Sequence, residues 1–238
     1  MGGSRVCVAG YWCSSQNQAG LGFIDRSSIS LQHSMPYLLK ELGISSLSGQ
    51  FATQRGGLGM ALSTWGLRGL RQNSLWLSYG LKLHTNISAG LGIHLWNASC
   101  AEQLAFAPGV SFALGLQIRI NEQWMLGARL IHPAGWSAQT DLTGQELMSI
   151  EAGFSYSFFR TSQIYAELHI KPGYGIILCT GMEWTMNRQI SLRTGICNSP
   201  FTYSWGIALK FKKWIAEFSF LYRVDTGLSP LSSLTHAW

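Results

Sequence analysis

The sequence predicts an all-β fold, namely an antiparallel transmembrane β-barrel of about fourteen strands with a short N-terminal plug segment. Apolar residues alternate with small or polar residues along many segments of about ten residues, which is the period of a strand with one apolar face. Charged residues make up only 12% of the chain, against about 25% in typical soluble domains. Strands of this length can cross a bilayer, and so little charge leaves few polar residues for a water-facing exterior.

Domain organisation follows from where the alternation begins. Residues 1–26 are rich in Gly, Ser, Asn and Gln and show little alternation, so we predict a plug or periplasmic segment there. Residues 27–238 are predicted to form the barrel, with no linker inside it. No signal-peptide pattern precedes Gly10, and we therefore expect the plug segment to be shortened at its start.

The first five strands are predicted from alternation and turn residues. The first three cover residues 29–33, 44–54 and 58–65, and the loop 35–43 is expected to carry one helical turn. The next two form a hairpin over residues 75–96, with a three-residue turn at 84–86. This register would set Tyr79 opposite Leu91 and Leu83 opposite Ile87.

The remaining strands continue the same pattern to the C-terminus. They are predicted at residues 110–120, 124–130, 148–158, 164–170, 174–184, 190–196, 201–211, 214–222 and 228–238. Long loops are expected at 97–108 and 132–144. Turns after even-numbered strands are tight, whereas the long loops follow odd-numbered strands. Outer-membrane barrels show this asymmetry, with short turns on the periplasmic side.

The apolar face could point to lipid or into a core. A soluble β-sandwich or soluble barrel remains an alternative, because its core face would alternate in the same way. Strand length and aromatic residues near the strand ends favour lipid. Trp76 and Trp96 share the inward parity, however, and are expected inside the barrel.

Charged residues and His share parity with the small polar residues and are therefore predicted to line the lumen. They are Lys82, His94, Arg119, Arg129, Glu151, Glu167, His169, Glu183, Arg193, Lys210 and Glu217. Both signs occur, which favours ion pairs and hydrogen bonds across a narrow lumen over a selectivity ring of one sign. Structural lining is the expected role of most of them.

Several functions have no support in the sequence. The basic residues are scattered singly, so nucleic acid is not an expected partner despite a net charge of +6. The glycine clusters lack the phosphate-loop pattern and indicate small-residue packing within strands. No catalytic, metal or cofactor motif is present, and the five cysteines show no metal-ligand spacing. The protein is therefore expected to be neither an enzyme nor a cofactor carrier.

The segment before the first strand resembles a motif of a known family. Asn17, Gln18, Ala19, Gly20 and Leu21 are similar to the N-P-A-G-L element of the PorV/PorQ-type outer-membrane β-barrels of Bacteroidota, relatives of the FadL-like transporters, with Gln18 in place of Pro. The resemblance implies a fourteen-stranded barrel in the outer membrane of a Gram-negative bacterium.

The function that the resemblance implies is either type IX protein secretion or passage of hydrophobic small molecules. The partners would be the lipid bilayer and secretion-system components or such molecules. The alternative is a structural or assembly barrel that transports no substrate.

Overall fold

The computed structural model is a closed antiparallel barrel of fourteen strands, as the alternation predicts. It describes residues 5–67, 69–100, 105–137, 148–159, 161–171 and 175–238. Each strand pairs with its neighbours in sequence, and β1 closes the barrel against β14. Because the barrel is closed, no strand edge is left unpaired, which a structure embedded in lipid requires.

The strands are numbered in chain order. They are β1 Ser28–Ser34, β2 Ile44–Thr53, β3 Gly56–Leu67, β4 Leu70–His84, β5 Ile87–Cys100, β6 Ala105–Arg119, β7 Trp124–Ser137, β8 Ser149–Phe158, β9 Ser162–Lys171, β10 Gly175–Thr185, β11 Ile190–Asn198, β12 Phe201–Phe211, β13 Trp214–Arg223 and β14 Gly227–Ala237. Three short 3₁₀ helices, at Gln18–Phe23, Pro36–Leu38 and Lys40–Leu42, precede β1 or join β1 to β2.

The hairpin of β4 and β5 has nearly the predicted register. Tyr79 lies opposite Leu91, as expected. The turn is one residue tighter than predicted, because His84 rather than Leu83 lies opposite Ile87 and the ladder shifts between Lys82 and His84. The prediction for Leu83 was therefore wrong: the extra residue is taken up by a bulge, which alternation does not reveal.

Strands β4 to β7 extend further than their alternation indicates. Residues 97–100 and 105–108, predicted as loop, continue β5 and β6, and residues 132–137 continue β7. Asn73 and Asn97 pair across these extensions and are joined by a side-chain hydrogen bond of 3.2 Å. These two Asn residues interrupt the apolar period of β4 and β5, while the backbone ladder itself continues.

The two faces of the wall differ sharply in exposure. Leu91, Leu114 and Trp205 point outward and are 46 to 49% exposed, whereas Ser88 and Gln117 point inward and are fully buried. A soluble barrel would have the opposite arrangement, so that alternative was wrong and the chain is a transmembrane barrel. None of the helices in the described parts of the chain is both long enough and apolar enough to span a membrane.

Candidate functional site

The plug lies inside the barrel and is organised by Asn17. Its side chain caps the 3₁₀ helix Gln18–Phe23, since Oδ1 accepts a hydrogen bond from the Ala19 N–H at 3.1 Å. The Asn17 Nδ2 donates to the Val6 carbonyl at 2.8 Å and so joins two parts of the plug. All residues of the helix are buried. One amide thus holds the shape of the segment that resembles the N-P-A-G-L element.

Inward-facing glycines of the wall form a groove that receives the plug backbone. A Cβ at Gly80 would lie 2.5 Å from the Gln18 carbonyl oxygen, and a Cβ at Gly90 would overlap the Ala19 nitrogen. At Gly127 a Cβ would come within 2.5 Å of the Val6 carbonyl oxygen. The sequence indicated only that glycines pack strands together. These inward-facing glycines also let the backbones of wall and plug approach more closely than any side chain would allow.

Polar side chains of the wall satisfy the carbonyl groups of the plug. The Ser78 hydroxyl donates to the Ser14 carbonyl at 2.6 Å, and the Ser88 hydroxyl donates to the Ala19 carbonyl at 2.6 Å. The Gln117 Nε2 donates to the Val6 carbonyl at 2.7 Å. Each bond contributes about 0.5–1.5 kcal/mol net. Together they fix the plug against β4, β5 and β6.

A buried carboxylate holds the start of the plug on the other side of the lumen. The Val6 N–H donates to Glu167 Oε1 at 2.7 Å, and His169 Nε2 lies 3.2 Å from Glu167 Oε2. Cys7 lies beside this group, and its burial, with the charge of Glu167, raises the pKa of its thiol to about 12. The carboxylate is 3% exposed. Glu167 on β9 therefore anchors Val6, whose carbonyl group is held by Gln117 on β6.

An aromatic cluster lies directly on the long-loop side of the plug. We call Trp76, His94, Trp96 and His132 the aromatic cluster. The Trp76 and His94 rings stack with centroids 4.2 Å apart, and His94 is 5.1 Å from Trp96 and 6.0 Å from His132. In the register of β4 and β5, Trp76 and His94 are the next inward pair beyond Ser78 and Gly92. The cluster thus offers ring faces above the plug.

Arg129 connects the aromatic cluster to the plug. Its guanidinium carbon lies 5.3 Å from the centroid of the Trp76 ring, and its Nη2 donates to the Ser15 carbonyl at 2.8 Å. Glu151 lies 3.9 Å from Nη1. The cation therefore touches an aromatic face and the plug backbone at once.

A second group of charged side chains, centred on Arg193, lies on the inner face of the wall at the opposite side of the lumen. Arg193 donates to Glu217 Oε1 at 2.5 Å and to Glu183 Oε1 at 3.3 Å, and Ser233 donates to the other Glu217 oxygen at 3.0 Å. This network joins β10, β11, β13 and β14 and passes over β12. The ion pairs predicted from mixed charges thus run along the inner face of the wall rather than across the lumen.

A cavity of about 1090 Å³ lies between the plug and this polar wall, towards the tight-turn end. Residues 7–12 of the plug form one side, and Tyr165, Arg193 and Lys210 lie on the other. Its lining mixes apolar side chains such as Val8 and Trp12 with charges of both signs. The plug therefore fills one side of the lumen and leaves open space along the other.

The predicted lumen-lining residues all have inward parity, but their burial differs. His94, Arg129, Glu167 and His169 are buried; Arg119, Glu151, Glu183, Arg193, Lys210 and Glu217 are half-buried; Lys82 is exposed at the end of β4. The structure brings them together in separate groups: His94 and Arg129 near the plug's long-loop side, Glu167 with His169, and Arg193 with Glu183 and Glu217. Arg119 instead stacks on Phe23 of the plug, 3.9 Å from the ring centroid.

Sequence reasoning missed two features of the lumen. The pairing of glycine with plug backbone has no local signal, since it depends on which strands face the plug. A disulfide between Cys179 and Cys197 joins directly opposed residues of β10 and β11. Predicting the register of β10 and β11 would have placed these two cysteines opposite each other. Within the described residues, no group of three or more His, Cys, Asp or Glu is arranged to hold a metal ion.

Comparison with solved structures finds the same architecture in several other proteins. The toluene transporter TbuX of Ralstonia pickettii is similar over 100% of this chain and 96% of its own, with a TM-score of 0.74 and 11% identity. The toluene transporter TodX of P. putida is similar over 100% and 95%, with a TM-score of 0.73 and 12% identity. A FadL homologue of Pseudomonas aeruginosa gives 0.64 over 100% and 95%, at 12% identity.

The fold is FadL-like. No family model and no curated protein matches the sequence. The predicted barrel fold is thus confirmed and is shared with a FadL homologue, whereas the PorV/PorQ resemblance is not confirmed. Identities of 11 to 12% relate the architecture only, and the chemistry must be argued from the residues of this chain.

Proposed function

We propose that this FadL-like barrel is a non-enzymatic protein of a Gram-negative outer membrane that passes hydrophobic aromatic small molecules. The aromatic cluster is the observation that carries the proposal. It places two indole rings and two imidazole rings inside an otherwise polar lumen, on the long-loop side of the plug. Structures with this fold include proteins named as toluene transporters and a monoaromatic hydrocarbon channel, which agrees with that chemistry.

Ring faces are suited to flat apolar molecules. An aromatic pair contributes about 0.5–1.5 kcal/mol beyond the area that it buries. Trp76 is half-buried, so its ring can exchange partners, while Trp96 is held flat over Gly109, where a Cβ would overlap the indole. A molecule that takes the place of the His94 ring on Trp76 would also meet Arg129, and through it the plug.

The position of the plug limits the path that a hydrophobic molecule could take through the lumen. Its contacts with β4, β5 and β6 leave no room between plug and wall on that side, because the glycine groove brings the backbones into direct contact. The cavity on the side of Tyr165 and Arg193 is open space next to the plug. Passage would therefore follow the side of the lumen away from the glycine groove, or require the plug to move.

The experiment measures uptake of labelled toluene by Gram-negative cells that make the protein behind a cleavable signal peptide. We expect faster initial uptake of toluene than in cells with an empty vector. We expect no gain for cyclohexane, which has no aromatic ring. Trp76→Ala should lower the toluene gain about two- to tenfold, the equivalent of one aromatic contact.

Trp205→Ala is the matched control, because Trp205 is a lipid-facing indole on β12, remote from the cluster. It should leave uptake unchanged. Equal uptake with and without the barrel would refute the transport proposal, and equal effects of the two substitutions would refute the role of the aromatic cluster. Heat-modifiable gel migration verifies that each variant is folded.

A second candidate function is an assembly or structural barrel that transports nothing. The observation in its favour is the fastening of the plug, by Asn17 and by the hydrogen bonds of Ser78, Ser88 and Gln117. The uptake experiment separates the two, since only a transport barrel raises toluene entry. The type IX secretion role implied by the PorV/PorQ resemblance would depend on partner proteins, and the lumen contacts of the described residues give no support for it.

A further inference from the structure

The two ends of the barrel differ in charge. At the tight-turn end, which also carries the chain's C-terminus, the described basic residues are Arg26, Arg55, Lys82, Arg119, Arg188, Lys210, Lys212 and Lys213. The acidic residues described there are Asp25, Glu122 and Glu183, which lies two residues before the end of β10 as Lys82 does in β4. Basic residues thus outnumber acidic ones at this end, in keeping with the net charge of +6 of the whole chain.

The long-loop end has no comparable excess. Its described charges are Lys40, Glu41, Arg71, Lys171, Arg223 and Asp225. By sequence, the segments that join strands on this side add Arg68 and the acidic residues Glu102, Asp141 and Glu146. The positive charge of the protein is thus concentrated at one end of the barrel.

Four of the cations stand in the tight turns themselves. Arg55 lies between β2 and β3, Arg188 between β10 and β11, and Lys212 and Lys213 between β12 and β13, and all four side chains are exposed. We call these four residues the basic rim. These turns lie within one arc of the barrel, from β10 through β14 and β1 to β3, so the basic rim occupies one side of the tight-turn end.

Lipid-facing aromatic residues lie beside the basic rim. Trp184 and Trp214 are 45% and 50% exposed and point outward at the ends of β10 and β13 nearest these turns, and Trp238 at the C-terminus is 49% exposed. Lys212 and Lys213 stand directly between Phe211, which is 69% exposed, and Trp214. Indole rings prefer the headgroup level of a bilayer, and so the cations lie where lipid phosphates are found.

We propose that the basic rim binds the headgroups of anionic phospholipids in the periplasmic leaflet. A cation near an anionic leaflet gains about 1 kcal/mol, which is roughly a fivefold preference for each residue. The outward-facing indoles beside the basic rim favour lipid over an acidic protein, because indole rings prefer the headgroup level of a bilayer. This inference does not depend on what the lumen passes.

The experiment is lipid competition on the folded, full-length barrel in detergent. Phosphatidylglycerol and phosphatidylcholine with the same acyl chains are added in equal amounts, and native mass spectrometry gives the ratio of the two lipids retained. We expect phosphatidylglycerol to predominate. The variant Arg55→Gln, Arg188→Gln, Lys212→Gln, Lys213→Gln should lower its preference by at least roughly fivefold.

A matched variant at the other end is the control: Lys40→Gln, Arg71→Gln, Lys171→Gln, Arg223→Gln. It removes the same number of charges and should keep the native lipid ratio. The proposal is overturned if the rim variant keeps that ratio, or if both variants lower it equally. Displacement of the lipid by an equal concentration of glycerol phosphate would show a free-phosphate site instead. Binding of polyglutamate without any lipid preference would show an acidic protein surface instead.

Discussion

Replacing Gly90 by Ala is expected to loosen the plug from the barrel wall. In the native structure the Cβ of this residue would overlap the Ala19 nitrogen and the Gln18 carbonyl carbon. Those are backbone atoms of a capped helix, so they cannot turn aside as a flexible side chain could. The plug must shift, and the hydrogen bond from the Ser88 hydroxyl to the Ala19 carbonyl is strained with it.

The expected magnitude follows from overpacking. Adding a methyl group where no space exists costs about 1–3 kcal/mol. If the cost falls on the bound plug, its open population rises about 5- to 150-fold. The barrel itself should stay closed, since its ladder does not depend on the plug.

Thiol labelling of Cys13 measures this opening. Cys13 is fully buried in the plug, and its Sγ donates to the Val8 carbonyl at 3.4 Å. Maleimide labelling is followed in a background with Cys7→Ser and Cys100→Ser, so that Cys13 is the free thiol. Gly90→Ala should be labelled about 5- to 150-fold faster than the parent.

Gly49→Ala provides the control, because its Cβ would meet only the Phe51 ring, at an ordinary 3.6 Å. It should label at the parental rate, and both variants should keep heat-modifiable gel migration. The glycine-groove argument fails if Gly90→Ala is labelled no faster than the parent, or if Gly49→Ala is accelerated as much.

Three further predictions concern the wall and the plug thiol. Leu114→Arg, at the middle of β6 and 48% exposed to lipid, should destabilise the barrel by about 2–4 kcal/mol in urea unfolding from bilayers, whereas Ile120→Arg, past the end of β6, should cost at most about 1 kcal/mol. Arg193→Gln should cost about 3 kcal/mol in the same assay, because it leaves two half-buried carboxylates unpaired, and restoration by neutralising both would be the supporting outcome. Burial raises the pKa of the Cys13 thiol from 9.0 to about 11, so the bound plug should lose stability as the pH rises from 9 towards 11. Limited proteolysis of the plug should show this loss. An equal loss in the Cys13→Ala variant would contradict the prediction.

Much of the fold could be predicted because the two environments of a membrane barrel are chemically opposite. Residues such as Leu77 and Leu91 face lipid while Ser78 and Gly92 face the lumen. The sequence of each strand therefore shows which of its faces points to lipid. The extensions of β4 to β7 could not be found in this way. In these extensions residues such as Asn73 and Asn97 interrupt the apolar period, so the pattern that marks a strand disappears.

The candidate site was predictable only in part. Parity placed Trp76, His94 and Trp96 inside the lumen, but their stacking depends on register between β4 and β5. Likewise, the charge of Glu167 was assigned to the lumen, whereas its contact with the Val6 N–H requires the plug to cross the barrel. Contacts between segments far apart in sequence leave no periodic signal.

The sequence by itself determined the number of strands, the face that each presents to lipid, and the tight and long ends. These properties follow from local alternation and turn chemistry, which each segment carries independently. Only the tertiary structure decided that glycines receive the plug backbone, that Arg129 joins the aromatic cluster to the plug, and that the basic turns form a rim beside outward-facing indoles. Closure of the barrel brings these distant residues together, because strands far apart in sequence then surround one lumen and their inward-facing polar groups can bond to one another and to the plug.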